Sequence, residues 1–171
     1  MRVTMELSGF DEMEEALEQL SKASGKNVLR RALKAAAEPM ADLARSLAPN
    51  DPSTGGFDLQ KSITVGSRLS RREKSEHRRM FRNDRASVEM FVGAGPLPQA
   101  VYSEFGTAPH VNKGLFAGTM NPGVAPQPFM RPAWDQDHKA LLDRLGKEIW
   151  VEIEKAMARA ERKAARLAAQ G

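Results

Sequence analysis

The sequence predicts an α+β fold, a small antiparallel sheet packed against two N-terminal helices and a long C-terminal helix. Three observations carry this. Val3, Met5 and Leu7, and later Val88, Met90 and Val92, recur at the two-residue period of half-buried strands. Leu29, Leu33, Ala36, Met40, Leu43 and Leu47 step by four and three, which lays one apolar stripe along a helix. Pro132 stands where a first helical turn accepts proline, and Trp134, Leu141, Leu145, Ile149, Ile153 and Met157 continue a stripe almost to the C-terminus.

Taken in order, a strand over residues 2–8 closes at Gly9. Asp11 with Glu14 three residues on has the form of a capping box, and Phe10, Met13, Leu17 and Leu20 mark a short helix that Ser24 and Gly25 stop. A second helix runs from Val28 to Leu47 and ends at Pro49. Pro39 interrupts it and lacks the N–H that a helix interior uses, so a kink near Ala35 or Ala36, or two abutting helices, is expected. Residues 50–57 are turn formers. Strands over 59–67 and 86–93 are expected to pair as a hairpin, and after a Pro/Gly break Gln99 to Phe105 makes about two helical turns.

One domain, 1–171, suits the length. Three pieces are expected to project from it: a basic connection at 68–85, a long loop at 107–127, and the end of the last helix at 156–171, where alanines alternate with Arg159, Arg162, Lys163 and Arg166. Aromatic residues make up 6% of the chain and charged residues 28%, so the core is modest and suited to completion by neighbours. There is no cysteine, which removes disulfides, thiol nucleophiles and cysteine-based zinc sites together. No export signal is visible and no run approaches the roughly 18 apolar residues of a membrane span. The chain therefore reads as unexported and without membrane contact.

Charge is concentrated. Arg68, Arg71, Arg72, Lys74, Arg78, Arg79, Arg82 and Arg85 face only Glu73, Glu76 and Asp84 within residues 68–85, a surplus larger than the chain's net +4. Basic runs on surfaces are often merely solvated. The functional reading is that these side chains neutralise phosphates of nucleic acid, or meet an acidic partner surface, without reading bases. Phe81 is the lone aromatic in the run, so stacking on single-stranded bases has little support.

Signs of catalysis are missing. His77, His110 and His138 are far apart and belong to no ligand pair. Gly93-Ala94-Gly95 leads into Pro96 and Pro98 rather than a phosphate-cradling helix, and Ser103 lacks the neighbours of a nucleophile elbow. Neither catalytic residues, cofactor nor metal is expected, and the chain is read as a non-enzyme. Tyr102 and Phe105, three residues apart on one helix face, read as core or interface anchors, with Gly106 as a helix stop. Phe129 and Trp134 are expected to lock the start of the last helix onto the sheet, leaving Arg131 free for a carboxylate such as Glu104.

Two segments carry a family resemblance. Val101-Tyr102-Ser103-Glu104-Phe105-Gly106-Thr107 is followed, after the Gly/Pro loop, by Pro128-Phe129-Met130-Arg131-Pro132-Ala133. In this order and at this separation they resemble the siphophage "gene product ten"-like tail-completion or head-tail joining (neck) family. The resemblance implies a structural virion protein and a ring between head connector and tail tube through which double-stranded DNA passes. It also implies head-closure or connector and tail-tube proteins as partners, and host cytoplasm as the location before assembly. Six copies follow from the six-fold tail tubes of such phages. Val111, Leu115, Phe116, Met120 and Val124 in the long loop are expected to meet a neighbouring subunit or the tail. The alternative reading is a small basic DNA-binding protein.

Overall fold

The structure is a computed structural model and describes residues 22–50, 59–81, 88–95 and 97–170. In chain order these form α1 (Lys22–Leu47), the single turn α2 (Leu59–Ser62), β1 (Ile63–Gly66), α3 (Arg71–Met80), β2 (Phe91–Ala94) and α4 (Pro98–Phe105). There follow β3 (His110–Val111), a 3-10 turn (Gly114–Phe116), β4 (Met120–Asn121) and α5 (Met130–Ala168). β1 pairs antiparallel with β2, with Ile63 opposite Ala94 and Gly66 opposite Phe91. β3 pairs antiparallel with β4. The fold is thus α+β, with small antiparallel sheets and a C-terminal helix of 39 residues, about 58 Å long. The strand expected at 2–8 and the helix expected after Asp11 lie outside the described residues.

The described residues divide into two compact units, one of 22–36, 88–89 and 142–170 and another of 37–50, 59–81, 90–95 and 97–141. In the second unit, Ala37, Ala41 and Ala44 of α1 and Ala48 just past its end form a buried stripe with Leu59, Ile63, Val65, Ala100, Phe129 and Ala133. Small side chains at that spacing let other elements approach the helix closely. Phe129 and Ile63 are fully buried, each contributing about 1.5–3 kcal/mol. Arg45 ties α1 to β1: its Nε donates to the Ile63 carbonyl at 3.0 Å, while its guanidinium pairs with Glu38 at 3.0 Å and with Asp42. Gln60 Nε2 donates to the Ala48 carbonyl at 3.2 Å, which satisfies an acceptor past the end of α1.

In the first unit, Val28 and Ala32 pack with Ile149 and Ile153. Beside them Glu152, only 8% exposed, accepts bonds from Arg31 and from Lys155 Nζ at 3.0 Å, with Arg159 at 3.9 Å. The bond from Arg31, joined by that from Lys155, outweighs burial and holds the Glu152 carboxyl below the usual carboxylate range.

Several sequence expectations need correction. α1 runs straight through Ser24 and Gly25, because a helical glycine costs only about 1 kcal/mol and burial of Val28 and Ala32 just beyond offsets it. Pro39 also lies inside this one helix. Its missing N–H removes the helical donor to the Ala35 carbonyl; the neighbouring Ala36 carbonyl accepts from Arg144 Nε at 3.2 Å and Nη2 at 3.1 Å. The strand expected from residue 59 begins only at Ile63, after the helical turn of α2, and the strand expected over 86–93 is Phe91–Ala94.

Arg144→Ala is expected to cost about 1.5–3 kcal/mol, the range for hydrogen bonds that involve a charged group. Arg144→Lys should recover part of that. Urea unfolding of both variants checks this; equal stability of Arg144→Ala and the parent would contradict it.

Candidate assembly interface

The basic segment connects β1 to β2, as expected, and within that connection residues 71–80 form the helix α3. Ser70 and Glu73 build a reciprocal capping box: Ser70 Oγ accepts from the Glu73 N–H at 3.3 Å, and Glu73 Oε2 accepts from the Ser70 N–H at 2.8 Å. This signal stood in the sequence, four residues with serine first and glutamate last. α3 is seated by His77, whose ring lies 4.8 Å from that of Phe81 and 5.2 Å, edge-on, from that of Phe91 in β2. At 100° per residue, Arg71, Arg78 and Arg79 fall 100° or more around the helix from His77 while Lys74 lies nearer to it, and all four are exposed, as is Arg68. Arg79 pairs with Glu76 at 2.6 Å. Arg72 belongs to the same helix, while Arg82 and Arg85 lie outside the described residues.

The motif around Glu104 has a physical task that composition did not reveal. Glu104 Oε2 accepts from the backbone N–H groups of Phe129 at 2.8 Å and Met130 at 2.9 Å, and Oε1 accepts from that of Arg131 at 2.9 Å. These are donors of the first turn of α5, which have no partner inside the helix, so a carboxylate from a distant segment caps the longest helix. The expected Glu104–Arg131 contact is therefore made by the main chain of Arg131; its guanidinium adds only a nearby charge. Burial pushes the Glu104 carboxyl up, but the three N–H bonds and Arg131 together hold it below the usual range. Gln127 N–H also donates to the Ser103 carbonyl at 2.7 Å, so the two motif segments are joined twice.

Tyr102 and Phe105 are not core: they are 51% and 73% exposed, and Val101 beside them 58%. The three share one face of α4, opposite the buried Ala100. Phe129 is buried as expected, whereas Trp134 is half exposed and stacks on His138 rather than on the sheet. Pro132 stands in the first turn of α5 and Pro128 just before Phe129.

The 107–127 segment is a hairpin rather than a loop. Val111 lies opposite Met120 and His110 opposite Asn121, and Thr107 exchanges backbone bonds with Val124 at 2.9 and 3.1 Å to close its base. Between these pairings stand Pro109 and Pro122, which have no N–H for a ladder; they are what disguised the hairpin in the sequence. The base is tight. A Cβ on Gly123 would lie 2.2 Å from the Thr107 carbonyl oxygen, and one on Gly106 would lie 2.7 Å from that of Val124, with both glycines at positive φ. Opposed side chains point to the same side of a ladder, so Val111 and Met120 form an apolar pair, and Leu115 and Phe116 crown the tip. Leu115 is 100% exposed, and Val111, Phe116, Met120 and Val124 are all more than half exposed. The structure thus brings the five apolar positions into one hairpin.

Among the described residues no group of three His, Asp or Glu side chains is arranged to hold a metal ion. None of their helices is long and apolar enough to cross a membrane. His110 Nδ1 lies 3.0 Å from the Ala108 carbonyl and His138 Nδ1 lies 2.9 Å from that of Trp134, which are local structural contacts.

Glu104→Gln leaves one acceptor and sets an amide donor against helix N–H groups. It is expected to destabilise the protein by about 1–3 kcal/mol at neutral pH. Because the folded-state pKa lies below the unfolded one, this advantage of Glu104 is complete above the unfolded value and fades as pH falls through the folded value. The gap between parent and variant in chemical denaturation should be flat near neutrality and narrow below about pH 4; a gap that widens in acid would contradict the assignment.

Residues 11–106 match the sequence family described as "Bacteriophage HK97-gp10, putative tail-component". The matched stretch includes α3 and ends at Gly106, so it holds the Tyr102–Gly106 motif but not the hairpin or α5. No curated protein and no solved structure matches the chain. The match covers more than half of the 171 residues, and on that ground, with the Glu104 motif in place, the chain belongs to the HK97-gp10-like family of bacteriophage tail components.

Proposed function

We propose that this tail component is a ring-forming protein of the neck, where head meets tail, acting by shape and self-association rather than by catalysis. The observation that carries the reading is the hairpin, whose apolar residues project into solvent with nothing on the same unit covering them. An isolated two-stranded hairpin is marginal in water and gains stability when its apolar side meets another surface. A closed head-to-tail ring supplies such a surface to every copy. Six copies match the six-fold tail tubes of the phages whose family the motifs resemble, with connector or head-closure proteins on one side and tube protein on the other. The protein then resides in the virion, after a stage in host cytoplasm.

In this ring the exposed side of α3 faces the DNA path. Arg68, Arg71, Lys74, Arg78 and Arg79 are solvent-facing, and cations so placed attract phosphates without sequence preference. The same exposed cations favour a second reading, a small DNA-binding protein acting alone. The two separate on duplex binding: the second requires tight, strongly salt-dependent binding by the isolated monomer.

Negative-stain images of purified protein with and without tail tubes test the first reading, which expects rings seated on tube ends. Replacing Arg71, Arg72, Arg78 and Arg79 by serine is expected to preserve the circular dichroism spectrum and to impair DNA retention in assembled particles. Unchanged infectivity and DNA retention would remove the DNA-facing role of α3.

A further inference from the structure

The hairpin has a shape and chemistry that ask for a particular receiving surface, and the same unit carries one. On the α4 side of Gly106, Val101, Tyr102 and Phe105 present an exposed apolar helix face; on the other, Val111 and Met120 with Leu115 and Phe116 present an exposed apolar hairpin. We propose that the hairpin of one copy docks on the α4 face of a second copy, repeated head to tail around the ring. This rests on the ring reading above and names its contact.

Three considerations select a second copy as the occupant. A two-stranded hairpin becomes stable when its apolar side packs on a helix, and α4 offers two aromatic rings and a valine within about 100° of arc. The exposed areas of the hairpin and the α4 face together are on the order of 1,000 Å², close to the lower bound of a specific interface. The two surfaces are also rigidly linked. Gly106 and Gly123 allow the closest backbone approach at the hairpin base, and Thr107 and Val124 lock it by two hydrogen bonds. A donor surface and an acceptor surface held at a fixed angle, one of each per chain, are what a heterologous, closing interface requires.

The absence of cysteine from the sequence permits a direct test in the assembled particle. Phe105→Cys and Leu115→Cys chains are made singly and together, assembled, and treated with a short bismaleimide; Val101→Cys with Met120→Cys serves as an independent pair. The expected result is a ladder of crosslinked species from the double variants, dimers from mixtures of the two single variants, and none from either single variant alone. Crosslinked dimers from Leu115→Cys alone would show hairpin meeting hairpin and overturn the pairing. Rings visible in the neck without crosslinks in either pair would also overturn it while leaving the ring reading intact. Absence of the chain from purified particles would overturn both.

Discussion

Three backbone N–H groups at the start of α5 converge on one carboxylate, that of Glu104, and much of the second unit is arranged around that meeting. A helix of 39 residues begins with donors that cannot be satisfied from within. A capping side chain normally comes from the residue just before the helix; here it comes from α4, some 25 residues earlier, which converts a local requirement into a tertiary contact. For Glu104 to reach Phe129, Met130 and Arg131, α4 must be held at the foot of α5. Burial of Phe129 beside Ala100 and Ala133 holds it there.

That anchoring explains why the segment between the two motifs can be so poor in regular pattern and still adopt one structure. Its ends are pinned by the Glu104 cap and by the bond from Gln127 to Ser103. Glycines at 106 and 123 then permit backbone separations that any side chain would prevent. Prolines at 109 and 122 interrupt the ladder without unpairing β3 from β4. The outcome is a short arm whose polar backbone is paired and whose apolar side chains are not. In a tail component, a surface of this kind is consistent with contact to other subunits.

The unit built from the first half of α1 and the last part of α5 solves different problems with polar side chains. Arg144 donates twice to the Ala36 carbonyl of α1, and Glu152 sits among Arg31, Lys155 and Arg159 beside a small apolar core. Glu152 is the buried ionic group among the described residues. A carboxylate taken out of water is tolerable when charge partners and hydrogen bonds surround it.

Periodicity alone determined the α+β class, the stripe along α1, and a last helix starting by Pro132. These are properties of neighbours three, four or two residues apart, which a single chain displays openly. The residue pair Tyr102 and Phe105 was legible as one helix face, and their motif as a family mark. What only the tertiary structure decided are the relations between distant positions. Glu104 looked like the partner of an arginine side chain, because a sequence does not reveal which distant side chain reaches the N–H groups left over at a helix start. Residues 107–127 looked like a loop, because glycine and proline mark turns in isolation, whereas here Gly106 and Gly123 let two strands approach and the prolines merely interrupt their ladder. The helix inside the basic connection escaped notice because its charge hides a face consisting of little more than His77, and what makes that face useful is a ring in a strand, Phe91.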